Sequence, residues 1–247
     1  MHQIFKNMPD PDKLRSTWVT EALQKIPAGQ SLIDCGAGEQ RYKKDCAHLI
    51  YTSQDFCQFD GKAIAGLDKD YSWDTSKIDI VSDITSIPVA DASFDNVLCT
   101  EVFEHIPHPE NAVKEFARIL RAGGKLILTA PFASYTHMAP YHFCTGFSRY
   151  WYERVLEDAG FEVEKITSYG NYFDCVALDL RRVPVMTKTY AAHPAGICGK
   201  VLLTVCIKYL DHISHKSAGS EELDTFGYMV IATKVNDAEA DSLSDMI

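Results

Sequence analysis

The chain lacks the composition that would suit a nucleic-acid binder. Lys and Arg total 24 against 34 Asp and Glu, for a formal charge of -10. No Lys/Arg run occurs, and the sequence pI is about 5.3. An acidic chain without a basic stripe has no general footprint for a phosphate backbone, so no nucleic-acid partner is expected. The 8 cysteines are scattered, with no C-x-x-C pair and no cysteine–histidine cluster at zinc spacing. Free thiols in a reducing cytoplasm are the expectation, and no metal site is read from them. No apolar run is long enough to span a bilayer, and Met1 to Asp12 has no apolar core of signal-peptide length. Internal repeats are absent too.

What remains is a chain of 247 residues, 46% hydrophobic, enough for one α/β domain with an insertion. Residues 11–26 have helical periodicity through Leu14, Val19, Leu23 and Ile26, and Pro27-Ala28-Gly29 ends it. Short apolar runs then read as strands at 31–35, 48–54, 78–82, 94–99 and 125–129. A helix is expected at 111–120, closed by a left-handed glycine in Arg121-Ala122-Gly123-Gly124. A further helix at 148–159 and strands at 161–168 and 226–234 follow. This alternation predicts a mostly parallel sheet with right-handed crossovers. Ligands of such sheets sit beyond the carboxyl ends of the strands, where Asp34, Asp55, Asp83 and Thr100 all fall.

The stretch Leu32-Ile33-Asp34-Cys35-Gly36-Ala37-Gly38 is the most informative. An apolar strand ends in an acid and a turn with two glycines, residues that let a ligand approach the backbone closely. The loop is expected to open toward a helix whose free N–H groups face the ligand. A carboxylate at Asp34 suits a ligand carrying an ammonium and a sulfonium rather than a pyrophosphate. Arg41, at the last glycine position of G-x-G-x-x-G, argues against a dinucleotide.

Further motifs follow in order: Asp55 at the end of the second strand, Asp83 through Asp95, Val97 through His105, Phe116 through Leu128, and Leu156 through Val163. As an ordered set the chain resembles the class I S-adenosylmethionine-dependent methyltransferases, in particular their type 11 small-molecule branch. Gln40 replaces a third glycine common in relatives. The resemblance implies a Rossmann-like α/β fold with a seven-stranded sheet and S-adenosyl-L-methionine as cofactor. It assigns Asp34, Gly36, Ala37 and Gly38 to the methionine part and Asp55 to both ribose hydroxyls. Phe56 and Asp83 go to adenine, with the Ile84 N–H on a ring nitrogen, and Thr100 and Glu101 line the methionine side. Glu104-His105 with His108 is read as a capping or orienting element rather than a metal site, because Pro107 and Pro109 disfavour a regular His-x-x-His helix.

The segment 131–148 leaves the fifth strand and is expected to pass over the transferred methyl. It offers His142 and His137 as bases for an acceptor hydroxyl. The expected activity is O-methylation of a small polar acceptor, with a sugar or glycan-related hydroxyl preferred from loop resemblance. A small amine, or a non-catalytic cofactor-binding regulatory role, are the alternatives. One domain over 1–235 is expected, with an N-terminal helical part at 1–30, a helical insertion at 174–215 and an acidic tail at 236–247. In that insertion Val201, Leu202, Val205, Leu210 and Ile213 form an apolar stripe. It is read as packing on neighbouring elements, with a homodimer surface or a peripheral membrane contact through 199–213 as alternatives.

Overall fold

The computed structural model describes residues 10–67 and 72–235. The acidic tail expected at 236–247 lies outside the described residues, as do residues 1–9 of the N-terminal part. Seven strands form one sheet: β1 (Ser31–Cys35), β2 (Ile50–Asp55), β3 (Ile80–Val81), β4 (Phe94–Thr100), β5 (Leu120–Pro131), β6 (Phe161–Tyr169) and β7 (Gly227–Lys234). Their order is β3-β2-β1-β4-β5-β7-β6. Strands β1 to β5 pair in parallel, and β7 runs antiparallel to β5. The order of strands across the sheet reverses at β1, which pairs with β2 on one side and β4 on the other. That topological switch is where a ligand crevice forms at the strand ends.

Among the described residues are five α-helices: α1 (Pro11–Gln24), α2 (Pro109–Ile119), α3 (Arg149–Asp158), α4 (Tyr172–Tyr190) and α5 (Ile197–Ser214). The described residues fall into two compact units. One comprises 15–167 with 227–235, and the other 10–14 with 168–226. In the first unit, alternate residues of β1 face opposite layers. Leu32 packs with Val19, Leu23 and Ile26 around α1. Ile33 and Cys35 pack on the other face, with Val113, Phe116 and Ile119 of α2.

In the second unit α4 and α5 occupy the segment expected as a helical insertion. Asn171 caps α4 by a capping box with Asp174, and the Ser214 hydroxyl donates to Asp174 Oδ1 at 2.7 Å. The apolar stripe of α5 departs from the packing expected of it. Val201, Leu202 and Val205 are 58–64% exposed, whereas Ile207 is buried. The stripe is thus divided: its first three residues are exposed, while Leu210 and Ile213 are half-buried beside Ile207. No helix among the described residues is long and apolar enough to cross a membrane.

Three local expectations are corrected. The glycine loop after β1 opens not onto an α-helix but onto turns and a short 3-10 helix at Lys43–Cys46. Fourteen residues separate β1 from β2, too few for a full crossover helix plus two turns. The third strand shrinks to Ile80–Val81. No left-handed glycine caps α2 either: Leu120, in extended conformation, is the cap and already begins β5. The β4–β5 register instead jumps from Phe94↔Leu120 to Asn96↔Lys125, and Gly123, with φ +74°, takes up the extra residues.

Arg118 ties the β3–β4 connection to α2. Its guanidinium donates to Glu115, Asp91 and the carbonyls of Ile87 and Val89 at 2.6–2.9 Å. Glu115 also accepts from the Ile87 N–H at 2.6 Å and is itself buried. Arg118→Ala removes the charged partner of that carboxylate. A loss of about 1.5–3 kcal/mol is expected in urea unfolding, the usual range for bonds to charged groups. A change under about 0.5 kcal/mol, typical of an ordinary surface position, would show that the network carries no stability.

Candidate active site

The turn after β1 is fixed from β2. The Gln54 carbonyl accepts from the Gly36 and Ala37 N–H groups at 2.8 and 3.0 Å. The Gly38 N–H donates to Asp55 Oδ2 at 2.9 Å, and the Cys57 N–H to Oδ1 at 2.8 Å. Both glycines have positive φ, +73° and +51°, and both are closely covered. A Cβ on Gly36 would stand 2.4 Å from a Val102 methyl, and one on Gly38 2.7 Å from the Trp73 ring. Only glycine meets both demands. Each carboxylate oxygen can accept two hydrogen bonds, so Asp55 keeps capacity for further donors while holding the loop.

Asp34 is 2% exposed and accepts from the Tyr51 hydroxyl at 2.8 Å. Burial pushes its carboxyl up to about 7, against the Tyr51 hydrogen bond and with a further push from nearby Asp55. It is thus a buried acid, not a solvent-facing one. Phe56 stands edge-on to Tyr141, ring centres 5.1 Å apart, and Phe59 packs against both Tyr141 and Trp73. The loop 56–67 further pairs with the loop after β5 through Ile64 N–H to Ala139 O and Leu67 N–H to Thr136 O, each 3.0 Å. A cleft of about 130 Å³ remains beside Gly38, lined by Glu39, Gln40, Asp74, Lys77 and Ile78.

The remaining expected cofactor residues differ in setting. Asp83 is exposed, with Oδ1 taken up by the Thr85 N–H and hydroxyl at 2.8 and 2.7 Å. Ile84 beside it is buried. Thr100 ends β4 opposite Thr129. Glu101 follows in the left-handed region at φ +55°, a costly conformation for a residue with a side chain. Three bonds hold it there: its N–H to Thr129 O at 2.8 Å, Thr129 Oγ1 to its Oε1 at 2.9 Å, and Arg15 to its Oε2 at 3.0 Å. Glu101 thus turns the chain out of β4 into the short 3-10 helix Phe103–His105.

Sequence reasoning missed a cluster that this turn creates. Glu104, His105 and His137 come together, and their ligating atoms all lie within 4.8 Å of one another. Glu104 is buried, and its carboxyl is pushed up to about 8 by burial and by neighbouring Glu101. Burial lowers His105 to about 4, helped by the other two rings and opposed by its bond to the Tyr141 carbonyl. His142 joins the ring cluster 5.1 Å from His137 and lies 3.1 Å from Ser134 Oγ through Nε2. Burial and His137 lower its pKa. His108, by contrast, stays outside on an exposed face near Glu110. The predicted bases His142 and His137 are therefore neighbours, and Glu104–His105, read with His108 as a capping or orienting element, is joined instead by His137.

Residues 33–128 match the model of the methyltransferase domain family. Over that segment the chain is similar to methyltransferase domains. The ubiquinone biosynthesis O-methyltransferase of Dechloromonas aromatica (strain RCB) is 26% identical over 129 residues, 51% of this chain and 53% of that protein. The chain thus spans about half the length of the curated relative it matches. Among solved structures, the cyclase SpnF superposes with a TM-score of 0.53 at 16% identity, over 90% of this chain and 80% of that one. Haemonchus contortus phosphoethanolamine N-methyltransferase 2, in complex with S-adenosyl-L-methionine, superposes at 0.50 with 14% identity, over 90% and 53%. At these identities the likeness establishes the fold. A cyclase and a methyltransferase share it, so the reaction is argued from the site.

The setting of Asp34 gives a pH signature. Its folded pKa lies above the unfolded value near 3.9, so between about pH 4 and 7 the folded state holds a proton that the unfolded state has lost. Stability supplied around this carboxyl therefore falls as pH rises through that window and levels off above about 7. Asp34→Asn keeps an acceptor for Tyr51 and removes the proton. Its stability relative to the parent chain should improve from pH 4 to 7 in paired denaturant unfolding series. A difference independent of pH would mean that Asp34 titrates normally.

Proposed function

We propose that the protein transfers a methyl group from S-adenosylmethionine to a hydroxyl of a small-molecule acceptor. The observation that carries the cofactor assignment is the Gly36–Gly38 turn laid against Asp55: two glycines at positive φ with no room for a Cβ, beneath a carboxylate with accepting capacity left. These residues fit a ligand that brings ribose hydroxyls to Asp55 and a cationic amino-acid end to the turn. When bound, the cofactor supplies an electrophilic methyl group. The chain's own part is orientation and exclusion of water. Gly36, Ala37 and Gly38 give it close backbone approach, Asp55 takes the ribose, and Phe56, Asp83 and Ile84 border the adenine side. Thr100 and Glu101 border the methionine side.

Oxygen is preferred to nitrogen as the acceptor atom because the curated relative is an O-methyltransferase. The sugar or glycan acceptor expected from the loop has no support among the relatives, and the reading is restricted to a small-molecule hydroxyl. Of the two expected bases, His142 keeps the role of proton acceptor, since His137 Nε2 faces Glu104 at 3.9 Å. His142→Ala is expected to slow single-turnover methylation by about 10²–10⁴-fold, the usual cost of losing a general base.

Calorimetric titration with S-adenosylmethionine tests the assignment directly. Asp55→Ala is expected to weaken binding by about 1.5–3 kcal/mol, the scale of charge-assisted hydrogen bonds. Unchanged affinity would remove Asp55 from the site. Turnover to S-adenosylhomocysteine with a panel of small hydroxyl and amine acceptors separates the chemistries. Methylation of amines alone would overturn the hydroxyl reading, and cofactor binding without any turnover would favour a regulatory role.

A further inference from the structure

Glu104 and His105 end the short 3-10 helix after β4, and His137 reaches them from the loop after β5. His105 Nε2 and His137 Nε2 lie 3.8 and 3.9 Å from the same atom, Glu104 Oε1. The two rings stand 4.7 Å apart, nearly perpendicular. Their other nitrogens are already engaged: His105 Nδ1 meets the Tyr141 carbonyl and His137 Nδ1, at 2.9 Å, the Tyr135 carbonyl. A carbonyl only accepts, so each Nδ1 carries the hydrogen and each neutral ring presents its lone pair at Nε2. Both lone-pair nitrogens therefore face one carboxyl oxygen, which can offer at most one proton between them.

At 3.8 and 3.9 Å these contacts are too long for hydrogen bonds. Ligands of a tetrahedral ion with bonds of about 2.0–2.1 Å stand roughly 3.4 Å apart, so these two contacts need to close by only about 0.5 Å to hold one ion. Glu104 is 1% exposed, and its second oxygen, Oε2, accepts no hydrogen bond among the described residues. A buried carboxylate is ordinarily paired or bound to a metal. Here a histidine ligand's second nitrogen bonded to a backbone carbonyl is also the arrangement that orients metal ligands elsewhere.

We propose that Glu104, His105 and His137 form a binding site for one divalent first-row transition-metal ion. Two imidazoles and one carboxylate suit zinc, manganese, iron or cobalt better than magnesium or calcium, which prefer oxygen ligands throughout. Three protein ligands leave at least one coordination position open, to water or to an oxygen of an acceptor. The site stands apart from the cofactor assignment, and its test needs neither cofactor nor acceptor.

Cobalt(II) serves as the probe. The purified full-length chain is stripped with chelator, dialysed and titrated with Co²⁺ while its visible ligand-field absorption is followed. One Co²⁺ per chain, displaced by Zn²⁺, is expected. Outer-shell changes alone cost about 10–100-fold in metal affinity, so Glu104→Gln and His137→Ala should each cost at least tenfold. His108→Ala, which touches none of the three, should bind as the parent does. Circular dichroism checks the fold of each variant. Should Glu104→Gln unfold, His137→Ala decides, because its ring lies on a partly exposed loop. No Co²⁺ or Zn²⁺ binding by the parent chain overturns the site, and so does equal binding by a folded His137→Ala variant. Either result leaves S-adenosylmethionine affinity, measured separately, as the test of the methyl-transfer reading.

Discussion

The end of β2 is the constraint on which the site depends. Gln54 is fully buried, and its polar atoms have to be satisfied inside the protein. Its carbonyl takes the Gly36 and Ala37 N–H groups, while its side-chain amide donates to the Ser82 carbonyl at 2.7 Å and the Ser82 hydroxyl at 3.2 Å. One residue thereby binds the turn after β1 to the exit of β3, across three neighbouring strands. Asp55, next in the chain, completes the arrangement by accepting from Gly38. With no α-helix behind the glycine turn, these bonds from β2 hold it in place.

A second anchor lies at the exit of β4. Glu101 adopts a backbone conformation that costs on the order of 1–3 kcal/mol for a residue with a side chain. It persists because Thr129 holds it by main chain and side chain, and Arg15 by charge. The return on that strain is positional. The turn at Glu101 lets Val102 cover Gly36, puts Phe103 into the core and brings Glu104 and His105 under the loop that carries His137 and His142.

The periodic features were legible in the sequence, because strand alternation and helical spacing follow from burial on one face or two. All seven expected strands occur, although β3 is reduced to Ile80–Val81 and β5 begins at Leu120, five residues before the pattern put it. Features that depend on contacts distant in the chain were not legible. Nothing in the local sequence of Gln54 marks it as the residue that fixes the glycine turn. His137 becomes a neighbour of His105 only through the parallel pairing of β4 with β5, whereas spacing along the chain pointed to His108. Gly123 and Gly124 look like a helix cap, but the register jump between β4 and β5 claimed Gly123, and Gly124 sits 2.9 Å, at the Cβ it lacks, from the Asp95 carbonyl. On α5 the apolar residues outnumber those one packed face can take, and the helix rotates to bury Ile207.

The acids of this region make one electrostatic argument. Asp34, Asp55 and Glu104 are all buried, and Glu101 is partly so, in a chain whose net charge is already -10. Arg15 is engaged with Glu101, and burial raises both Asp34 and Glu104. A carboxyl with a raised pKa holds a proton in place of a partner, and that proton is given up when a cation arrives. A pocket built this way disfavours anionic ligands by repulsion and favours cationic ones, which can take the place of the proton on a buried carboxyl. The same acids that make the region costly to bury are the groups that a positively charged ligand at the β1–β2 turn, or a cation between Glu104 and the histidines, would meet.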